Sequence, residues 1–229
     1  MKKLILIACA CVLTVSSSQG FASDSKATID GRLDAAGRVI QEIQSVPGKA
    51  IPDWIVGQAT CLAVIPGYKK AAFIVGGSYG QGVVTCRTAH GWSAPAFIQL
   101  EGGSWGLQIG GQSTDLILVA VNQKGMQDLL QSKFKIGAGA SAAAGPVGRD
   151  AQADTNLTLH SELLTYSRSR GVFAGIDLNG TVVHQNTDDT RTFYGHDVPF
   201  QQILGGHVAT PPAAHRFVSD VSRYFRKAH

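Results

Sequence analysis

The sequence predicts an α+β domain: a glycine-rich, strongly twisted antiparallel sheet that curls towards a barrel, with helices at the N-terminal and C-terminal ends. Three observations predict it. Between residues 71 and 121 the runs AAFIVGG, GVVTCR, SAPAFIQLEGG, WGLQIGG and TDLILVAV alternate with glycines, as strands do where they bend sharply or meet another backbone closely. Residues 24–46 place Ile29, Leu33, Ala36, Ile40 and Ile43 on one helical stripe, with Arg32, Asp34, Arg38 and Glu42 off it. Near the other end, Phe217, Val221, Tyr224 and Phe225 repeat the same spacing.

In chain order, Lys2 and Lys3 precede the apolar run of residues 4–15, and Gly20, Phe21 and Ala22 follow it, the layout of a secretory leader cleaved near Ala22. This makes residues 1–22 a signal peptide and 23–229 one domain, exported to the periplasm or cell envelope or secreted. The segment LIAC at residues 6–9 imitates a lipobox, but its apolar stretch is short, so a lipid-modified Cys9 is the lesser alternative. The first helix stops at Pro47 and Gly48. A short helix over 53–58 and a strand over 61–66 lead into the glycine-rich sheet, and NQKGMQDLL at 122–130 forms another short helix. LTLHSELLTYSRS adds one or two strands, and GVFAGIDLNGTVVHQN is a hairpin turning at Asn179 and Gly180. VPFQQILGG closes into a short helix, and the last helix starts with Thr210 as N-cap and Pro211 or Pro212 in its first turn.

Composition bounds the function. Hydrophobic residues make up 44% of the chain, enough for a packed core. Removing Lys2 and Lys3 from 20 basic residues leaves 18 against 16 acidic, a formal +2, which carries no nucleic-acid footprint. The seven histidines are scattered without ligand spacing, so no metal site and no cofactor motif is read. Asp188 and Asp189 in NTDDT read as a solvated turn. Past the leader only Cys61 and Cys86 remain, either joined in a disulfide, as an oxidising compartment favours, or standing as two buried thiols in neighbouring strands.

Gly76, Gly77, Ser78, Tyr79 and Gly80 spell the G-x-S-x-G of a serine hydrolase, and Gly102, Gly103, Ser104, Trp105 and Gly106 repeat it. A nucleophile elbow needs a helix after the serine, whereas Val83, Val84 and Thr85 continue as a strand. The two copies are therefore read as structural glycine motifs, with Gly77 and Gly103 expected at positive φ or at a close strand approach, and no catalytic residue is assigned. KIGAGASAAAGPVGRD lacks the Gly-Lys-Ser/Thr of a phosphate loop and is read as a tightly packed strand and turn.

Taken together, CLAVIPGYKKAAFIVGGSYGQGVVTCR, the two G-G-S-[YW]-G copies, GAGASAAAGPVGRDAQA and TYSRSRGVFAGIDLNG resemble the SYLF domain family over about residues 30–204. The resemblance implies a non-enzymatic binding domain: eukaryotic members are linked to phosphoinositide-containing membranes, their yeast actin-patch relatives to actin, and exported bacterial members to the envelope. The expected partner is thus an anionic lipid or membrane surface, with an envelope or host protein as the alternative. The cations expected to meet it are Lys69 and Lys70 in the most family-like segment, Arg32 and Arg38 on the first helix, and Arg216, Arg223, Arg226 and Lys227 on the last.

Overall fold

The computed structural model describes residues 24–45, 51–147, 161–169 and 172–226. The expected leader, the helix stop at Pro47 and Gly48, the chain between 148 and 160, and Lys227 lie outside them. The frame is a single ribbon. Strand β1 (Cys61–Thr88) and strand β3 (Ala96–Ala120) pair antiparallel along nearly their whole length, joined past the short β2 (Gly91–Trp92). The strand breaks expected at the glycines do not occur, because the two G-G-S-[YW]-G copies lie opposite one another inside the ladder: Gly76 pairs with Ser104, Gly77 with Gly103 and Ser78 with Gly102. The backbone of Gly106 likewise pairs with Ile74.

The ribbon curls because β1 bulges. Register shifts fall between Ile65 and Tyr68 and between Ala72 and Ile74, and in the first of them Gly67 takes φ +62° while its N–H donates to Asp115 Oδ1 at 2.9 Å. The two ends of β1 are thereby brought together: Arg87 N–H donates to Thr60 O at 2.7 Å, and Cys61 and Cys86 are joined in a disulfide. Glycine is required where the halves touch. A Cβ on Gly82 would stand 2.6 Å from Ile65 Cγ1 and 2.7 Å from Val64 O, and one on Gly80 would stand 2.7 Å from Ile65 and Tyr68. By contrast, Gly77 and Gly103 keep ordinary φ and face open space, so the close approach expected there belongs to Gly80 and Gly82.

On its other edge β3 binds β6 (Leu163–Ser169) along residues 115–120 and β8 (Val182–Gln185) along 98–101. Strand β4 (Lys133–Lys135) adds to β8, while β5 (Ala142–Ala144), parallel, and β7 (Val172–Gly175), antiparallel, add to β6. The Asn179–Gly180 turn forms, with Gly180 at φ +85°, but its arms do not pair as a hairpin: β7 goes to β6 and β8 to β3 and β4. The result is an eight-stranded, strongly curled, half-barrel sheet among the described residues.

Both faces of this sheet are covered, which is why CLAVI and LILVA read as unbroken apolar runs. Leu62, Val64, Ile117 and Val119 point to one core, beneath α1 (Lys26–Ser45), α2 (Asp53–Gln58) and the last helix; Ala63, Ile65, Leu116 and Leu118 point to the other, beneath α3 (Gln123–Leu130) and α5 (Phe200–Leu204). Asn122 caps α3 by accepting from Gly125 N–H. The segment read as a solvated turn, NTDDT, is instead the start of helix α4 (Thr187–Tyr194), whose N-cap Asn186 accepts from Asp189 N–H. The last helix, α6 (His215–Tyr224), follows a 3₁₀ turn at Pro212–Ala214 whose cap position is Pro211 rather than Thr210. Its stripe is core: Phe217, Val221 and Phe225 are buried, each contributing about 1.5–3 kcal/mol.

Candidate functional site

Three elements converge beside the β1 bulge. Helix α1 supplies Arg32, β1 supplies Gln81, and α4 with its cap supplies Asn186 and Asp189. Arg32 is only 8% exposed; one guanidinium nitrogen lies 2.7 Å from Asp189 Oδ2, and the other pairs with Asp24 and donates to Gln81 Oε1 at 2.9 Å. Asp189 also accepts from Asn186 Nδ2 at 2.7 Å and from the Asp24 N–H at 3.0 Å. Arg32 is therefore not the surface cation expected of it. Two carboxylates neutralise its charge, and its role is to tie α1 to α4 across the strand.

Above this network opens a cleft of about 340 Å³ lined by Asp24, Tyr79, Gln81, Gln99, His184 and Asp188 among others. Its rim is Tyr79, the one exposed large hydrophobic side chain among the described residues, at 39%. The Tyr79 hydroxyl donates to Gln99 Oε1 at 3.2 Å. Burial, followed by the Asp24 charge, pushes the pKa of Tyr79 up, so the phenol stays neutral. A second hollow of about 290 Å³ shares Tyr79 and Gln81 with the first and is bordered by Thr28, Pro66 and Lys69. Sequence reasoning missed this site. Its one legible trace was the Asn186-x-x-Asp189 spacing, which fits a helix N-terminus.

The remaining expected cations among the described residues are exposed, except Lys70, which is half-buried. Lys69 is exposed at the bulge, and Lys70 places Nζ 5.9 Å from the Tyr68 ring centroid. Arg38 is exposed on α1 one residue past Gly37, whose Cβ position lies 2.9 Å from Asp220 Oδ2 of α6, so it stands beside the seam of the two helices. On α6 itself Arg216 lies 3.8 Å from Asp34, and Arg223 stacks over Tyr224 at 5.5 Å. Arg226 follows, also exposed. Among the described residues no ion pair engages Arg38, Arg223 or Arg226. Arg38, Arg216, Arg223 and Arg226 thus lie on or just past α1 and α6, which also carry Asp34 and Asp220, while Lys69 and Lys70 lie on β1.

Ser78 is a rung of the ladder. It accepts from the Tyr68 hydroxyl at 2.6 Å and donates to Gly102 O at 3.3 Å, with no base among these partners.

A separate acidic pair lies under α3. Glu162 is held by Lys124 and by the Ser141 N–H, while Asp128 accepts from Gln131. Burial and then the Glu162 charge push the Asp128 carboxyl up to about 6. Burial also raises Glu162, but the Lys124 and Ser141 hydrogen bonds outweigh it and hold this carboxyl below its usual range. The signs are opposite. A raised Asp128 stabilises the fold fully below its unfolded value of 3.8, and that contribution is lost as pH rises through about 6; a lowered Glu162 stabilises above its unfolded value of 4.5 and loses that as pH falls. Asp128→Asn is expected to gain stability relative to the parent as pH rises from about 4 to about 7, with a plateau above. Denaturation at a series of pH values checks this, and a pH-independent difference would sink it.

Comparison with known proteins gives concordant similarities. The model of a family described as Ysc84, Las17-binding protein actin regulator, matches residues 101–224. Protein YSC84 of Saccharomyces cerevisiae is 32% identical over 170 residues, 72% of this chain and 36% of that protein. SH3 domain-containing YSC84-like protein 1 of Xenopus laevis is 31% identical over 187 residues, 78% of this chain and 56% of that protein. LAS seventeen-binding protein 3 of Saccharomyces cerevisiae is 31% identical over 169 residues, 72% of this chain and 37% of that protein. The chain spans between about a third and just over half the length of these relatives.

Proposed function

The chain belongs to the Ysc84 (SYLF) family, and on that premise we propose that it is a non-enzymatic binding module resting on an anionic phospholipid surface through the basic face of α1 and α6. One observation carries this reading. Helix α6 buries Phe217 and Val221, and Arg223 on it and Arg226 just past its end are exposed with no ion pair among the described residues, so their charge is free for an external anion. The same burial defines the mode of contact. Phe217, Val221 and Phe225 are sealed in the core and do not enter a bilayer, so attachment is electrostatic and peripheral. Lys69 and Lys70 form a second, separate contact. For an exported chain the anionic lipids are phosphatidylglycerol and cardiolipin.

Each basic residue contributes roughly 1 kcal/mol near such a surface, so Arg223→Glu with Arg226→Glu is expected to weaken vesicle binding about 30-fold or more at low salt, with unchanged circular dichroism. Added salt should erase the binding as the Debye length falls from about 10 Å at 0.1 M towards about 3 Å at 1 M. Flotation that finds equal binding to neutral and anionic vesicles at low salt would remove this mechanism. The names of the relatives favour a second reading, a protein partner. Co-sedimentation with actin filaments, in parallel with the vesicle experiment, separates the two.

A further inference from the structure

We propose that the cleft beside Tyr79 binds a neutral saccharide at least two rings long. The ligand class follows first from charge. Asp24 and Asp189 share Arg32, Asp188 pairs with Arg191, and Glu101 Oε2 lies 3.7 Å from His184 Nε2. A cation entering the cleft would find each of its three carboxylates, Asp24, Asp188 and Asp189, already beside a guanidinium, and an anion would face those same three carboxylates, so neither sign of ligand is well complemented. An acyl chain is disfavoured by the lining, because none of the residues around the main hollow is aliphatic.

What remains is a neutral molecule dense in hydroxyl groups. Such a ligand needs donors and acceptors interleaved at fixed positions: His184, Thr187 and Asp188 line the hollow beside Gln99 and Gln185, whose amides are fixed in place by hydrogen bonds to Tyr79, Glu101 and Leu130 O. A sugar ring also has a face of C–H bonds, weakly positive, that settles on the negative face of an aromatic ring. Tyr79 offers that face at the rim, and its hydroxyl is tethered to Gln99. The floor is rigid before binding, since Arg32, Asn186 and Asp189 hold one another, and little freedom is left to lose on association. The length follows from the second hollow, which meets the first across Tyr79 and Gln81, so a ring on either side of the tyrosine makes two. This site shares no residue with the basic face of α1 and α6, although Lys69 of the second lipid contact borders its second hollow.

The experiment is isothermal titration of the purified protein with chitotriose, maltotriose and cellotriose, repeated at high salt and with Tyr79→Ala and Tyr79→Phe. Saturable millimolar binding of at least one trisaccharide is expected, unchanged by salt, weakened about tenfold by Tyr79→Ala and retained by Tyr79→Phe. The exposed ring makes both variants compatible with the fold, which circular dichroism verifies. Absence of binding by all three sugars, or binding that survives Tyr79→Ala, overturns the proposal; salt-sensitive binding of a lysine dipeptide in their place would assign the cleft to cations. Vesicle binding through Arg223 and Arg226 is unaffected by any of these outcomes.

Discussion

Gly82→Val is expected to destabilise the domain by about 3 kcal/mol, the upper end of what overpacking costs. The new side chain would begin 2.7 Å from a carbonyl oxygen, Val64 O, and 2.6 Å from Ile65 Cγ1, and a ladder carbonyl has no room to move without breaking its own pairing. Gly77→Val and Gly103→Val provide the control. Both positions are exposed in extended backbone with nothing near their Cβ positions, so each should change stability by no more than about 0.5 kcal/mol. Chemical denaturation of the three variants decides the matter. Equal losses at all three positions would mean that the closure of β1 on itself is not what demands glycine.

Arg32→Ala should be at least as damaging, at about 3–5 kcal/mol, because it leaves Asp189 buried at 1% exposure with its main countercharge gone. Loss of the Gln81 and Asp24 contacts would also loosen α1 from the sheet. A double-mutant cycle isolates the pair: Arg32→Ala combined with Asp189→Asn is expected to lose markedly less than the sum of the single losses. Strict additivity would show that the ion pair contributes nothing beyond its separate groups.

These two sites mark where the sequence could and could not be read. The terminal helices were legible because Ile29 through Ile43 and Phe217 through Phe225 carry their own periodicity, which needs no partner to be seen. The short helices read at 53–58 and 122–130 were legible for the same local reason, the second starting one residue later, at Gln123, because Asn122 is its cap. Strand continuity was not. A glycine that ends a strand and one that lies inside it look alike until the opposing residue is known, and for Ser78 that residue is Gly102. The Asn179–Gly180 turn was read correctly as a turn, yet its arms were claimed by β6 and β3, which no local pattern announces. Arg32 sits off its helix's apolar stripe and looked solvent-bound; its partner Asp189 is 157 residues further on. Arg38, Arg216, Arg223 and Arg226 do lie at the surface, where long side chains beside a buried stripe belong.

The closure of β1 on itself also sets an order of events in folding. A ribbon of this length can zip from the turn beyond Thr88, each new rung enclosing only slightly more chain than the last, so the entropy of loop closure is met in small steps although Cys61 finally pairs with Ala120. The curl comes afterwards, since the Thr60 to Arg87 bond joins the open end of the ribbon to a rung near its turn. Oxidation of Cys61 and Cys86 is therefore a late step that locks a ribbon already formed. Refolding from the reduced, denatured chain should recover strand circular dichroism before the thiols disappear to alkylation, and the reverse order would mean that the crosslink guides the ribbon.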